Sequence, residues 1–354
     1  MKHFLFLLLT LNALSGYGQT PDLKINVHPG VELLTIVQKL SGKYPPSTPS
    51  AYEKEVLAHF GPYNKHPAVR TLQQFQGTVY PDLTELGFCF DDSPDLHLAV
   101  PDSSNWYRLY GKAAVIEYLK QCTAFAAQSN FRQFYLAHAP AYRAWGIRIA
   151  EGIQQDQLLE KLHGFYQAGA PPRFYICLDP LNGWGAHATP HPERFNPVNA
   201  GTKAYTIGFY ATPSDSTKSP VFAYGDYATN LVWHEGGHLY LQDLFARHQR
   251  QIDALAYLFN GDDPGMKAQN IRTWAYCLNE NVVRGVVLAL FKQHKSARAW
   301  KRQNAQEVLN DFVYAEDISQ IIGADYLGRK KYPTFEAFFP VLLRKLQKRH
   351  PAKT

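Results

Sequence analysis

Hydrophobic positions recur at helical spacing along most of the chain and change to strand-like runs in one stretch near its middle. In HPGVELLTIVQKLSG (28–42), Leu33, Leu34, Val37 and Leu40 share one face behind Pro29, and Gly42 closes the run, which predicts a helix. SGKYPPSTPS reads as a loop. Residues 113–167 read as mostly helical, with breaks near Asn130, Pro140 and Gly146. RFYICL (173–178), AYTIGFY (204–210) and VFAY (221–224) read as strands, rich in aromatic and β-branched residues. DPLNGWGAHATPHPERFNP, after the first of them, reads as a long loop of turn formers. Beyond Tyr224 the pattern is helical again, apart from breaks. A helical part, a small sheet, one further helix and a helical second part predict an α+β domain with a cleft between two lobes.

A hydrophobic content of 45% and a charged content of 19% fit an ordinary globular chain. The first residues, MKHFLFLLLTLNALSGYGQT, change that picture only at the N-terminus. The apolar run Phe4–Leu14 is too short for a membrane span, which needs roughly 20 residues. A basic start, a short apolar core and small residues before Gly18–Gln19 predict a cleavable signal peptide, and no Cys at the cut points to a lipid anchor. Much of the formal charge of +6 lies in the tail LLRKLQKRHPAKT, which reads as a solvated helix end rather than a nucleic-acid surface. Cys89, Cys122, Cys177 and Cys277 form no C-x-x-C, so neither a cysteine metal cluster nor a redox motif is expected. Pairing and free thiols both stay open.

One helical stretch carries chemistry. NLVWHEGGHLYLQDL (230–244) sets His234 and His238 four residues apart, with Glu235 directly after the first. Residues i and i+4 lie on one face, so both imidazoles can aim at one point. Glu235 projects about 100° round the helix, beside that point, where it can take a proton from water. Two ligands and a general base are the mechanical content of H-E-x-x-H in zinc hydrolases. With 14 His and 13 Glu in 354 residues, chance produces the spacing in about 2% of such chains, so the surroundings matter. Leu231, Val232, Trp233, Leu239, Tyr240 and Leu241 make the helix a buried one. Two histidines and a carboxylate buried together are costly unless something pairs them. Asp226 or Thr229 can cap the helix, which is expected to begin near residue 229. Gly236 and Gly237 each cost a helix interior roughly 0.8–1 kcal/mol against Ala, so a facing helix or a substrate should approach the backbone here.

A reactive zinc site takes three protein ligands and keeps a fourth position open. The pattern H-E-x-x-H-x-x-G-x-x-H would need Gly at 241 and His at 244, where the chain has Leu241 and Leu244. A Gly-Thr-x-Asp pattern finds only GADYLG (323–328), with Asp325 one place early. WAYCLNENVVRGVVLAL (274–290) is an apolar helix interrupted by Asn279, Glu280, Asn281 and Arg284. Glu280 is the third-ligand candidate, and an ion pair with Arg284 is its plainer reading. A straight helix from 229 to 259, returning from 267, would leave His238 about 32 Å and Glu280 about 20 Å from the turn. The two meet only if the first helix breaks, an event expected within QDLFARHQRQ (242–251).

HEGGH with NE at 279–280 resembles the zincin metallopeptidases that take a glutamate as third ligand, the gluzincins. The resemblance implies a zincin-like fold, with a small mixed sheet, an active-site helix and a helical C-terminal lobe. It implies one Zn2+ per chain on His234, His238 and Glu280, with Glu235 as general base. It also implies that a strand, here AYTIGFY, presents the substrate by β-addition. Thermolysin-like members carry Asp four residues after the ligand glutamate; Arg284 stands there, so the partner of His234 is left open. Tyr314, Tyr326 and His294 are candidates to stabilise the transition state, while His187 and Trp184 are candidates to border the cleft. HPGVELLTIVQKLSG, the H-E-x-x-H and KYPTFEAFFPVL (331–342) together also resemble a family of secreted bacterial domains of unknown function. That implies one domain over 19–354 after a signal peptide at 1–18, with an N-terminal lobe to about residue 245 and a helical lobe from about residue 262. The expected protein is a secreted or periplasmic zinc metallopeptidase with peptide or protein substrates, no nucleic-acid partner and no membrane span. The alternatives are a non-catalytic zinc-binding interaction module and a zinc hydrolase of a non-peptide amide or ester; the oligomeric state is open.

Overall fold

The computed structural model describes residues 21–43, 49–75, 84–101, 104–182, 186–189, 191–208, 222–328 and 331–352. The expected signal peptide and Trp184 lie outside them. The chain begins with β1 (Leu23–Asn26), α1 (Pro29–Ser41), α2 (Ala51–Phe60), α3 (Pro67–Gln74) and α4 (Asn105–Tyr110). Three longer helical steps follow: α5 (Lys112–Gln128), α6 (Phe131–Gln155) and α7 (Leu158–Tyr166). Then come β2 (Arg173–Asp179), β3 (Ala186–Thr189) and β4 (Thr202–Gly208). The remainder is helical: α8 (Asp226–Arg247), α9 (Gln249–Asp253), α10 (Pro264–Ala268), α11 (Trp274–His294), α12 (Ala297–Leu309), α13 (Ala315–Asp325) and α14 (Phe335–Arg349).

The architecture is α+β, mostly helical, around one four-stranded mixed sheet of order β1-β2-β4-β3. β1, β2 and β4 run parallel, and β3 pairs antiparallel with β4 at the edge. β2 is buried at every position after Arg173, as a parallel strand covered on both faces must be. Two expectations need correction here. Phe222–Tyr224 form no strand: Phe222 packs on Trp145, with ring centres 5.5 Å apart, and the Tyr224 hydroxyl donates to Asp156. The stretch read as one long loop contains β3, which pairs Ala188 with Tyr205.

α1 forms where the pattern placed it. The Nδ1 of His28 accepts from the amides of Gly30 and Val31, Pro29 opens the helix, and Gly42 closes it in the left-handed region at φ 75°. α6 runs unbroken through Pro140 and Gly146, against expectation. Pro140 sits on the exposed face of the helix, where a carbonyl left without its helical donor can turn to solvent. Gly146 serves an approach instead of a break: a Cβ there would stand 3.1 Å from the Ile25 carbonyl oxygen of β1. The four cysteines are free and buried. The basic tail is tied down, since Lys345 holds Asp325, and Arg349 and His350 hold Asp317. Among the described residues no helix is long and apolar enough to cross a membrane.

Candidate metal centre

α8 starts at Asp226, one turn earlier than expected, and neither Asp226 nor Thr229 caps it; Gly225 precedes the helix without a side-chain cap. Lys203 of β4 donates to the Leu239 carbonyl at 2.7 Å, fastening the helix to the sheet. The glycine pair is explained by neighbouring helices. A Cβ on Gly236 would meet Leu162 of α7 at 2.4 Å, and one on Gly237 would meet the Tyr166 hydroxyl and Val283 of α11, each at 3.2 Å. α8 ends at Arg247, inside the stretch where a break was required, and the chain turns through α9 before α11 returns. The Trp274 indole donates to the Ile252 carbonyl at 2.8 Å and fixes that turn.

The return brings Glu280 to the two histidines. His234 Nε2 and His238 Nε2 lie 3.1 Å apart. Glu280 Oε1 is 3.3 Å from His238 Nε2, and Oε2 is 3.5 Å from His234 Nε2. Two atoms each bonded to a tetrahedral zinc at about 2.05 Å stand about 3.3 Å from one another, so the three side chains fit such an ion. His238 Nδ1 donates to Asn279 Oδ1 at 2.6 Å, so Nε2 is the ring nitrogen turned to the centre. Asp325, by contrast, gives both carboxylate oxygens to Lys345, at 2.6 and 2.7 Å.

Burial alone would discharge these groups; for His238 and Glu280 their mutual charges decide otherwise. Burial pulls the His238 ring down, but the Glu280 carboxylate outweighs it and lifts the ring to about 9. Burial likewise pushes Glu280 up, yet the two histidines and Arg284 hold it well below the usual carboxylate range. His234 is held down by burial and then by Arg284. Glu235 stands beside the centre, its Oε1 4.0 Å from His234 Nε2. Burial pushes its carboxyl up to about 7, while the Ala188 amide of β3 donates to it and opposes the shift.

The other expected residues fall differently. The Tyr314 hydroxyl donates to the Leu258 carbonyl at 2.8 Å, and the fully buried Tyr326 hydroxyl donates to the Phe165 carbonyl. Neither hydroxyl is offered to the centre. His294 lies at the end of α11 beside Trp233. His187, on β3, is half-buried and within electrostatic reach of His238; removal from water, then the His238 charge, pushes it down to about 4. β4, the strand expected to present substrate, has both edges taken by β2 and β3. Sequence reasoning missed Glu307, which is 1% exposed and receives Arg284 Nη1 at 2.7 Å. No sequence signal marks it: Gln303 and Asn304, its neighbours one turn earlier on the same face, are polar, and the apolar Val308 and Leu309 are exposed.

Residues 104–345 match the family described as "Domain of unknown function (DUF4932)". The chain belongs to DUF4932. The DUF4932 match holds β2 to β4, all four residues of the centre, Arg284 and Glu307, and it leaves HPGVELLTIVQKLSG outside. No curated protein and no solved structure matches the chain.

Proposed function

We propose that this DUF4932 chain is a secreted zinc-dependent metallopeptidase of the zincin type, with the glutamate-ligand arrangement of the gluzincins. The observation that carries the reading is the convergence of His234, His238 and Glu280 at 3.1–3.5 Å, with the Glu235 carboxylate alongside and not among them. A site that only stored metal would have no use for that fourth group.

Zinc on these three residues supplies Lewis acidity, polarising a carbonyl and making water more acidic. The chain's own groups do the rest. Glu235, held near neutrality, takes a proton from water and passes it to the departing amine. The Ala188 amide donates to the Glu235 carboxylate and favours its charged form. β3 pairs on one side only with β4 among the described residues, so an extended peptide adding to its outer side would pass the Glu235 carboxylate. His187, neutral and beside His238, is the group this arrangement offers to a developing oxyanion.

The test is a digest of a peptide library by the purified chain, with and without a chelator. Cleavage abolished by chelation and restored by added zinc is expected. A zinc-loaded chain that cleaves no peptide would contradict the peptidase reading.

A further inference from the structure

We propose that Arg284 and Glu307 are positioning residues that make Glu280 a one-oxygen ligand; the proposal rests on the metal-centre reading above. Arg284 follows Glu280 by four residues on α11, and its guanidinium spans two helices. Nη2 donates to Glu280 Oε2 at 3.2 Å, and Nη1 donates to Glu307 Oε2 on α12 at 2.7 Å. Arg284 Cζ stands 3.7 Å from the centre of the Phe312 ring, which fixes the plane of the fork. Glu307 is itself held, since Gln303 Nε2 donates to its other oxygen.

This arrangement has a chemical consequence. Both Glu280 oxygens lie near the histidines, Oε1 at 3.3 Å from His238 Nε2 and Oε2 at 3.5 Å from His234 Nε2. Only Oε2 also receives the Arg284 guanidinium, at 3.2 Å, so Oε1 is the oxygen left free of it. Ligation through Oε1 alone leaves a fourth position for water or substrate. Ligation through both oxygens would crowd that position. A lone guanidinium on the carboxylate would also weaken it as a donor. Glu307 offsets that charge, so the pair orients Glu280 at little net electrostatic cost. Lysine, a point charge without a planar fork, cannot hold both carboxylates in this geometry.

The experiment uses the full chain and two variants that leave the three ligands intact, Glu307→Gln and Arg284→Lys. Zinc affinity is measured by competition with a chromophoric chelator, and coordination is read from the visible absorption of the cobalt(II)-loaded protein. Groups that orient metal ligands typically contribute 10–100-fold in affinity, so the zinc Kd should rise about 10–100-fold in both variants. The cobalt absorption, intense for four ligands, should weaken as Glu280 binds through both oxygens. Val287→Ala, a buried change on the same helix, should lower Tm while leaving Kd and spectrum unchanged. If Arg284→Lys does not fold, Glu307→Gln decides alone. Variants with wild-type Kd and spectrum, or with weaker binding and an unchanged spectrum, would overturn the proposal in favour of an ordinary helix-to-helix ion pair. A wild type that takes up no zinc would overturn the metal centre, and this inference with it.

Discussion

Single residues decide the proposed ligand set. Glu280 was legible because a carboxylate interrupting an apolar helix needs a partner, and it finds three: His234, His238 and Arg284. Asp325 had a weaker sequence pattern and is already paired with Lys345. Glu280→Ala should therefore weaken zinc binding strongly, while Asp325→Ala should leave it within experimental error. Isothermal titration of both variants checks this, and the reverse ranking would move the ligand set to α13. Asn279 gives a finer prediction. Its Oδ1 fixes the His238 ring at 2.6 Å, so Asn279→Ala should raise the zinc Kd about 10–100-fold without unfolding the chain. The tyrosine candidates failed for a physical reason. A hydroxyl in an aromatic-rich core takes the nearest free carbonyl, and which carbonyl lies nearest is a tertiary fact that spacing does not reveal.

At the scale of elements, strong helical periodicity translated well into structure, and short pairings did not. α1, α8 and α11 each have long apolar patterns, and the required break after α8 followed from helix geometry alone. β1 and β3 have four residues each, too few for alternation to register. β1 gains its place only by pairing with β2, far along the chain. Pro140 and Gly146 misled because both act through position: one faces solvent and the other faces a strand. The same positional logic applies to Gly237, whose missing Cβ lets α7 and α11 close on α8. Gly237→Val should overfill that contact and cost about 1–3 kcal/mol, although helix propensity alone would favour valine over glycine. Chemical denaturation measures the sign; a stabilised variant would show that the three helices do not touch there.

Across the whole molecule, a second buried polar group ties the N-terminal helices to the sheet. Glu32 of α1 accepts from the Tyr52 hydroxyl of α2, Tyr52 meets Tyr142 of α6, and Thr35 donates to Asp179 of β2 at 3.0 Å. Burial, then the Asp179 charge, pushes Glu32 from 4.5 up to about 8. The folded chain thus keeps a proton that the unfolded chain releases. Stability from this site is complete below pH 4.5 and is lost as pH rises through 8. Glu32→Gln should flatten the wild-type decline in unfolding free energy between pH 6 and 9, by an amount on the order of 2 kcal/mol. Equal declines in both proteins would contradict the shift. Neither this network nor Glu307 was legible in the sequence, because buried carboxylates read like solvated ones until their neighbours are known. The proposed mechanism turns on Glu235, which stands beside the three proposed ligands without joining them. The measurement that tests it most directly is zinc content and peptide hydrolysis in Glu235→Gln. Glu235→Gln should keep about one zinc per chain and the wild-type Tm, with a rate lower by at least about 10²-fold; a zinc-loaded Glu235→Gln chain that cleaves as fast as wild type would contradict the assignment of Glu235 as base.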